Sequence, residues 1–464
     1  MTRNEHKIPR KVVNEKDRFK LPPELLQRIA LFIRDTSVFF AYLEAFHQDD
    51  GVLGNLEQLW TLSTVIVSHD RLWPSLHVHR AQVCRYKDLY MPVLAYFPTV
   101  HVFEVFDLEF LQQASMSSRL AMSGLPEEDR DCITVPLDAW YRTLPVLHIS
   151  AVTYRNMTIN AGILHLLHTL PHMPHLRALN LTRAIVPSFA TLIDFIVSSQ
   201  LTSINLTETY ENPSWADAII TSAMDKGLTK WLKREPVVSV ALGNWNLRDA
   251  ATFFAALWSC TTLKELMLPR AKIPPLDAIP FGASPITISH VDLGVEYRSC
   301  HLRPEDVLAL AQGIAHSTRL QILSLRCNRV GPVRVQDLMQ AIVHSNVREL
   351  NLTECDLADI GCINVADCLN QTKLTTLDLG SNRITAIGAH ELASAIATMP
   401  HLRMLSLRFN CLDASAVAVV VDAMGCHSRQ AKLDVFQSTV ADETEMDLAA
   451  IVARFPQLDV VLGW

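Results

Sequence analysis

Between Leu374 and Asn410 the apolar positions keep a spacing that neither a lone helix nor a lone strand produces. Leu374, Leu377, Leu379, Asn382 and Ile384 stand at offsets 0, 3, 5, 8 and 10, and Leu402, Leu405, Leu407, Asn410 and Leu412 repeat those offsets 28 residues later. Leu377 and Leu379 alternate with Thr376, Asp378 and Gly380, so a short strand turns its leucines into a core and its small or polar residues away from it. Asn382 falls where the chain turns, and its amide can bond backbone groups that the bend leaves unpaired. From Ala386 to Ala397 the residues Ile387, Leu392, Ala393 and Ile396 recur at helical spacing and supply the opposite wall. One such unit cannot bury its own leucines. Stacked neighbours can, which predicts a solenoid.

The spacing can be followed from Leu144 to the end of the chain. Its first strand position falls at Leu144, Leu176, Leu201, Val237, Leu263, Ile288, Leu320, Val347, Leu374, Leu402, Gln430 and Phe455. This pattern is identified as a leucine-rich repeat. The late gaps of 27 or 28 residues, with a full helix between strands, resemble the ribonuclease-inhibitor-like class. The resemblance implies an α/β fold over residues 144–464: a horseshoe solenoid with parallel strands inside and helices outside. Glu208 to Glu235 and Glu296 to Glu305 break the rhythm and read as loop insertions. Trp231, Trp245 and Trp258 near the first insertion read as core or cap residues. The closing segment FPQLDVVLGW has a strand and no following helix, with Trp464 placed to cover the end.

Ahead of the repeats the pattern turns helical. In LPPELLQRIALFI two prolines open a helix, Glu24 suits its positive start, and Leu25, Ile29 and Ile33 recur every four residues. Asp35 or Thr36 can cap a second helix carrying Phe39, Leu43 and Phe46 on one side. Leu21, Pro22, Glu24, Leu25, Leu26 and Ile29 resemble the opening of the F-box, a short helical motif. The resemblance covers about a tenth of the chain, and departs from the motif at Asp35-Thr36-Ser37-Val38 and at the polar stretch His47 to Asn55. It implies that Leu21, Pro22, Glu24, Leu25 and Ile29 dock a Skp-family adaptor of a cullin (SCF) ubiquitin ligase. The alternative is a helical cap that shields the first repeat. The expected organisation is a basic disordered leader at 1–20, the helical module at 21–80, a linker with an atypical first repeat at 81–143, and then the repeats. Val100, Phe103, Val105, Leu108 and Phe110 fit the offsets of that atypical repeat, and Gly124 to Asp131 reads as an acidic loop.

Composition narrows the function class. Hydrophobic residues make up 49% and charged residues 19%, which suits an array with a continuous interior. The net charge is −7, and the first twenty residues hold seven Lys/Arg against three Asp/Glu, so the leader is +4 and the remainder −11. An acidic body argues against nucleic acid as the main ligand. No apolar run reaches membrane-spanning length, and Met1 to Lys20 holds no hydrophobic segment like that of a signal peptide. These features predict a soluble monomer in the cytoplasm or nucleus. The ten cysteines include no C-x-x-C pair and read as reduced, buried thiols, with Cys355 in an asparagine slot. Asn-Leu-Thr triplets at Asn180, Asn205 and Asn351 match a glycosylation acceptor in pattern only, because they fall on strands.

An enzyme needs a reactive constellation. No two glycines stand two apart, so G-x-G-x-x-G is absent, as is the G-x-S-x-G elbow. His390-Glu391-Leu392-Ala393-Ser394 begins like a zinc-protease helix and ends in serine. Pro171 and Pro174 split the run His165, His168, His172 and His175, which reads as a solvated helix end rather than a metal site. No catalytic, cofactor or metal residues are therefore expected. Ran GTPase-activating proteins use the same repeat class, and no arginine here maps to a motif of theirs.

Twelve strands stacked about 4.8 Å apart would line a concave surface of roughly 50 to 60 Å, which suits a protein partner better than a metabolite. The middle outward position runs from His148 through Asp378 to Asp434 and Asp459, and asparagine and aspartate are common there for local reasons. Arg326, Thr353, Arg408 and Phe436 form the next column. With Asp378 and Asp434 they make a candidate patch for gripping a charged peptide or a folded surface.

Overall fold

The computed structural model describes residues 21–49, 51–128, 131, 135–211, 218–282, 285–295, 302–399, 401–427, 430–437 and 445–462. The leader at 1–20 and Trp464 lie outside them, as do most of the insertion after Glu296 and part of the acidic loop. The chain divides into two compact units, Met1–Ser150 and Ala151–Trp464.

In the first unit, α1 (Pro23–Phe32) starts with proline at its first turn and Glu24 beside it. Asp35 caps α2 (Thr36–Phe46) by accepting the Val38 N–H at 2.9 Å. Phe39, Phe40 and Leu43 of α2 are buried with Leu56, Leu59 and Leu62 of α3 (Leu56–Val65). Trp73 stacks on Phe39 with ring centroids 4.1 Å apart, and its Nε1–H donates to the Ile33 carbonyl at 2.6 Å.

Three parallel strands follow: β1 (Leu76–His79), β2 (Thr99–Phe103) and β3 (Arg119–Ser123). Leu76, Val100 and Leu120 form one buried file, and Val78, Val102 and Met122 form another. The segment read as a linker with one atypical repeat thus contains two strands. Its offsets 0, 3, 5 and 8 belong to Phe97, Val100, Val102 and Val105, all buried, which shifts the register by three from one begun at Val100. Phe103 misled the spacing because it is a bulky ring on the outward side, stacked on His79 at 4.6 Å.

In the second unit a parallel ladder runs in chain order from Ile149–Thr153 to Leu458–Val461. Leu323, Leu350, Leu377, Leu405 and Leu433 partner one another along it, each no more than 1% exposed. The helices Gly331–Val343, Ala358–Leu369, Ala386–Ile396 and Ala414–Gly425 pack each on the next. This is the α/β solenoid of parallel strands and intervening helices that the spacing predicts.

Two register positions differ from the sequence reading. Val152 partners Leu179, so Ile149 and Thr153 take the places assigned to Leu144 and His148, and Leu144 lies in a 3-10 turn. Leu144, Leu147 and Ile149 keep the offsets 0, 3 and 5 equally well, and only pairing separates the two choices. At the other end Val460 partners Leu433, which puts Val461 rather than Asp459 beside Asp434. The early insertion folds into two short parallel pairs, Ala184–Val186 with Thr209–Glu211 and Ala218–Ile219 with Trp245–Asn246. Trp231 and Trp245 are fully buried there, their indole N–H groups donating to the carbonyls of Leu201 and Leu206 at 3.1 Å, and Trp258 is also buried. Cys327, Cys355 and Cys362 are buried, but Cys84, Cys411 and Cys426 are exposed, so the thiols are not uniformly interior.

Candidate protein-recognition site

What holds the strands' ends sets the geometry of their outward face. The Asn382 amide donates to the carbonyls of Leu352 at 2.8 Å and Leu379 at 3.0 Å, and its oxygen accepts the Cys355 N–H at 2.9 Å. Asn410 repeats this one turn later, accepting from Asn382 and Ile384. One buried amide thus serves backbone groups of two neighbouring repeats, and the Leu379 carbonyl accepts from both Asn382 and Asn410. In Cys355 the thiol takes over part of the role, reaching the Leu325 carbonyl at 3.2 Å. Just before this slot the backbone turns left-handed, at Cys327, Glu354, Ser381, Phe409 and Gln437.

The middle outward column has a local task. Asp378 Oδ1 accepts the Gly380 N–H at 2.9 Å, Asp434 Oδ1 accepts that of Phe436 at 3.1 Å, and Asn351 Oδ1 that of Thr353 at 2.9 Å. Each carboxylate or amide closes the strand as an Asx turn. That accounts for aspartate and asparagine in the column without a ligand.

The next column is different. The ladder register sets Thr353, Arg408 and Phe436 in one file beside Asp378 and Asp434, with Thr353 two strands from Arg408 and Phe436 one strand beyond it. Arg408 Nη2 lies 3.6 Å from Asp378 Oδ2, and Phe436 meets Phe409 edge to face at 5.8 Å. Phe409 is about half exposed. Arg326 stands in the same column farther along, its Cβ within 3.5 Å of where a side chain at Gly294 would begin. The sequence reading places Gly380 and Ser406 on the outward side but leaves them, and Phe409, out of the candidate patch. The available signal was the triplet Asp-Leu-Gly, at Asp292–Gly294 and Asp378–Gly380, followed in each case by arginine one repeat on.

On α1 the residues named for adaptor docking lie outward. Leu21, Leu25 and Ile29 are 48%, 45% and 41% exposed, while Leu26 and Ala30 face the core; Pro22 and Glu24 are exposed at the helix start. Phe32, missed by the sequence reading, is 85% exposed and extends the stripe by three residues.

A family model described as "Leucine Rich repeat" matches residues 343–366 and 370–393, two of the units whose leucines and asparagine slots are described above. The chain carries leucine-rich repeats. Among similar proteins is bovine (Bos taurus) "NACHT, LRR and PYD domains-containing protein 5", 30% identical over 28% of this chain and 12% of that one. Another is "RAN GTPase-activating protein 2" of Arabidopsis thaliana, 25% identical over 25% of this chain and 22% of that one. The leucine-rich repeat chain therefore spans less than a quarter of either relative. Among solved structures, an internalin from Listeria monocytogenes is 16% identical, with a TM-score of 0.40 over 76% of this chain and 87% of that one. No helix among the described residues is long and apolar enough to cross a membrane.

Proposed function

We propose that this leucine-rich repeat protein is the substrate-recognition subunit of a cullin-type (SCF) ubiquitin ligase. In this reading α1 docks a Skp-family adaptor, and the strand face of the second unit holds the target protein. The observation that carries it is the outward apolar stripe Leu25, Ile29 and Phe32 on a helix whose other side is packed, with exposed Leu21 just ahead of the helix start. Leaving this apolar surface in water forgoes about 1.5–3 kcal/mol at Phe32 and roughly half that at each of the other three, which a partner helix would recover. Co-purification with a Skp-family adaptor that vanishes on Leu25→Asp or Ile29→Asp, with circular dichroism unchanged, supports the reading. Wild-type protein that brings down no adaptor leaves the second reading, a scaffold or inhibitor whose N-terminal helices only cap the repeats. A third, GTPase activation, draws on the similarity to the Arabidopsis protein. It predicts that catalytic amounts of this protein accelerate GTP hydrolysis by a small GTPase.

A further inference from the structure

On the helical side of the late repeats three aliphatic side chains stand in water: Val333 is 68% exposed, and Ile360 and Ile387 are each 66% exposed. They are not scattered. Each lies ten residues beyond a leucine of the buried file, Leu323, Leu350 or Leu377, so all three hold one position in successive repeats. Their helices, Gly331–Val343, Ala358–Leu369 and Ala386–Ile396, pack each on the next. One repeat later the same position is Ser415. In the helix before, Pro304–Ala315, it is Glu305, which precedes buried Val307 by two residues as Val333 precedes buried Val335. Both Ser415 and Glu305 are exposed. The row is therefore apolar across three helices and polar at either end, a bounded strip rather than a general property of the repeat.

The spacing of the row selects the shape of what covers it. Packed helices lie about 8–10 Å apart, so the three anchors span roughly 16–20 Å. An α-helix returns to one face every seven residues, about 10.5 Å on, whereas a strand does so about every 6.7 Å and falls out of step. Charge selects the polar side. One turn along from the row stand Asp337, Asn364 and Glu391. Asp337 is held by Arg334 at 2.9 Å, while Glu391 is exposed and has no ion pair among the described residues. On the opposite flank, four residues back, Arg383 is paired with Asp356, which leaves Arg329. Glu305 closes one end, and residues 21–464 carry a net −11, the whole-chain −7 less the leader's +4. This field draws a basic partner and repels a second copy of the same row.

We infer that Val333, Ile360 and Ile387 dock an amphipathic helix of a protein partner, with its apolar stripe on the row and Lys or Arg on the flank that faces Glu391. This surface is separate from α1 and from the strand face, and the inference stands whether or not an adaptor binds. A display library of helical peptides of about 14 residues, selected on the full chain, tests it. Expected clones carry apolar residues at helical spacing and Lys or Arg along one flank. Their binding falls about tenfold or more when Ile360→Ser and Ile387→Ser are combined, serine being the residue that the next repeat carries there. Val333→Ser alone gives a smaller loss, and Glu391→Gln or added salt weakens binding further. Leu25→Asp and Arg408→Lys leave it unchanged, and thermal melts show that every variant is folded. Clones indifferent to the serine changes, clones with acidic flanks, or a selection that yields none overturn the inference. So does a wild-type dimer that the paired serine changes dissolve, which would give the row to self-association.

Discussion

The first unit's strands and the late repeats of the second build the same buried lattice with different turns. Leu76, Val78, Val100 and Val102 alternate into a core as Leu377, Leu379, Leu405 and Leu407 do. At the eighth offset, however, the late repeats bury Asn382 and Asn410, whose amides tie neighbouring turns together, while β2 is followed by buried Val105 and β3 by buried Leu125. The turn before that slot is left-handed in both, at Glu104 and Gly124 in one and at Ser381 and Phe409 in the other. A parallel ladder therefore needs only the alternation. The asparagine stitches the turns, and it is also what makes a repeat recognisable in sequence.

That contrast can be broken experimentally. The largest effect should come from the shared element: Leu377→Ala leaves a cavity in the continuous file and should cost about 2–5 kcal/mol, seen as a lowered urea midpoint of the second unit. Asn410→Ala removes bonds specific to the late turns and strands the buried N–H groups of Asn382 and Ile384. A loss of about 1–3 kcal/mol is expected, and an unchanged midpoint would mean that aliphatic turns suffice everywhere.

A smaller effect distinguishes the outward faces. His77, His79 and His101 lie close together on β1 and β2, the His77 and His101 rings 4.7 Å apart. Burial is the first cause holding all three imidazoles below their ordinary value; His101 and His79 also lower His77, and Arg71 lowers both His77 and His79, while Glu104 raises His79. The unfolded chain then binds these protons more readily than the folded one. Stability of the first unit should fall as pH drops below about 6.5 and level off once the folded-state values are passed. His77→Gln and His101→Gln should each flatten that slope in pH-dependent thermal melts, while the late repeats keep theirs.

The smallest effects concern groups that the lattice ignores. Asp434→Asn should change stability by only about 0.5 kcal/mol, because the amide still accepts the Phe436 N–H. Thiol labelling at neutral pH should modify exposed Cys84, Cys411 and Cys426 at once. Cys362, pushed up to about 12 by burial, and Cys355, also raised mainly by burial, should react only on unfolding.

The late repeats were legible because three signals coincide in them: strand alternation, a turn residue that is asparagine at 328, 382 and 410, and a helix of 11 to 13 residues between strands. Where one signal fails, the reading slips. Val105 and Leu125 replace the asparagine, so β2 reads as an atypical repeat begun three residues late and β3 falls in the linker; LPVLHISAVTY satisfies the offsets twice, so the register at Leu144 moved by five. The α1 stripe was half legible, since the four-residue period marked Leu25 and Ile29 but could not say which side of the helix was packed.

Local sequence determined the alternation that makes strands, the caps and prolines that begin helices, and the need of each unit for neighbours to cover its leucines. These depend on residues a few positions apart, whose geometry the backbone sets. The tertiary structure alone decided which of two equal registers pairs, which side of α1 meets the core, and that Thr353, Ser406 and Arg408 each bury a polar atom without a hydrogen-bond partner. Such facts arise between repeats about 27 residues apart, where closeness is created by stacking and carries no mark along the chain.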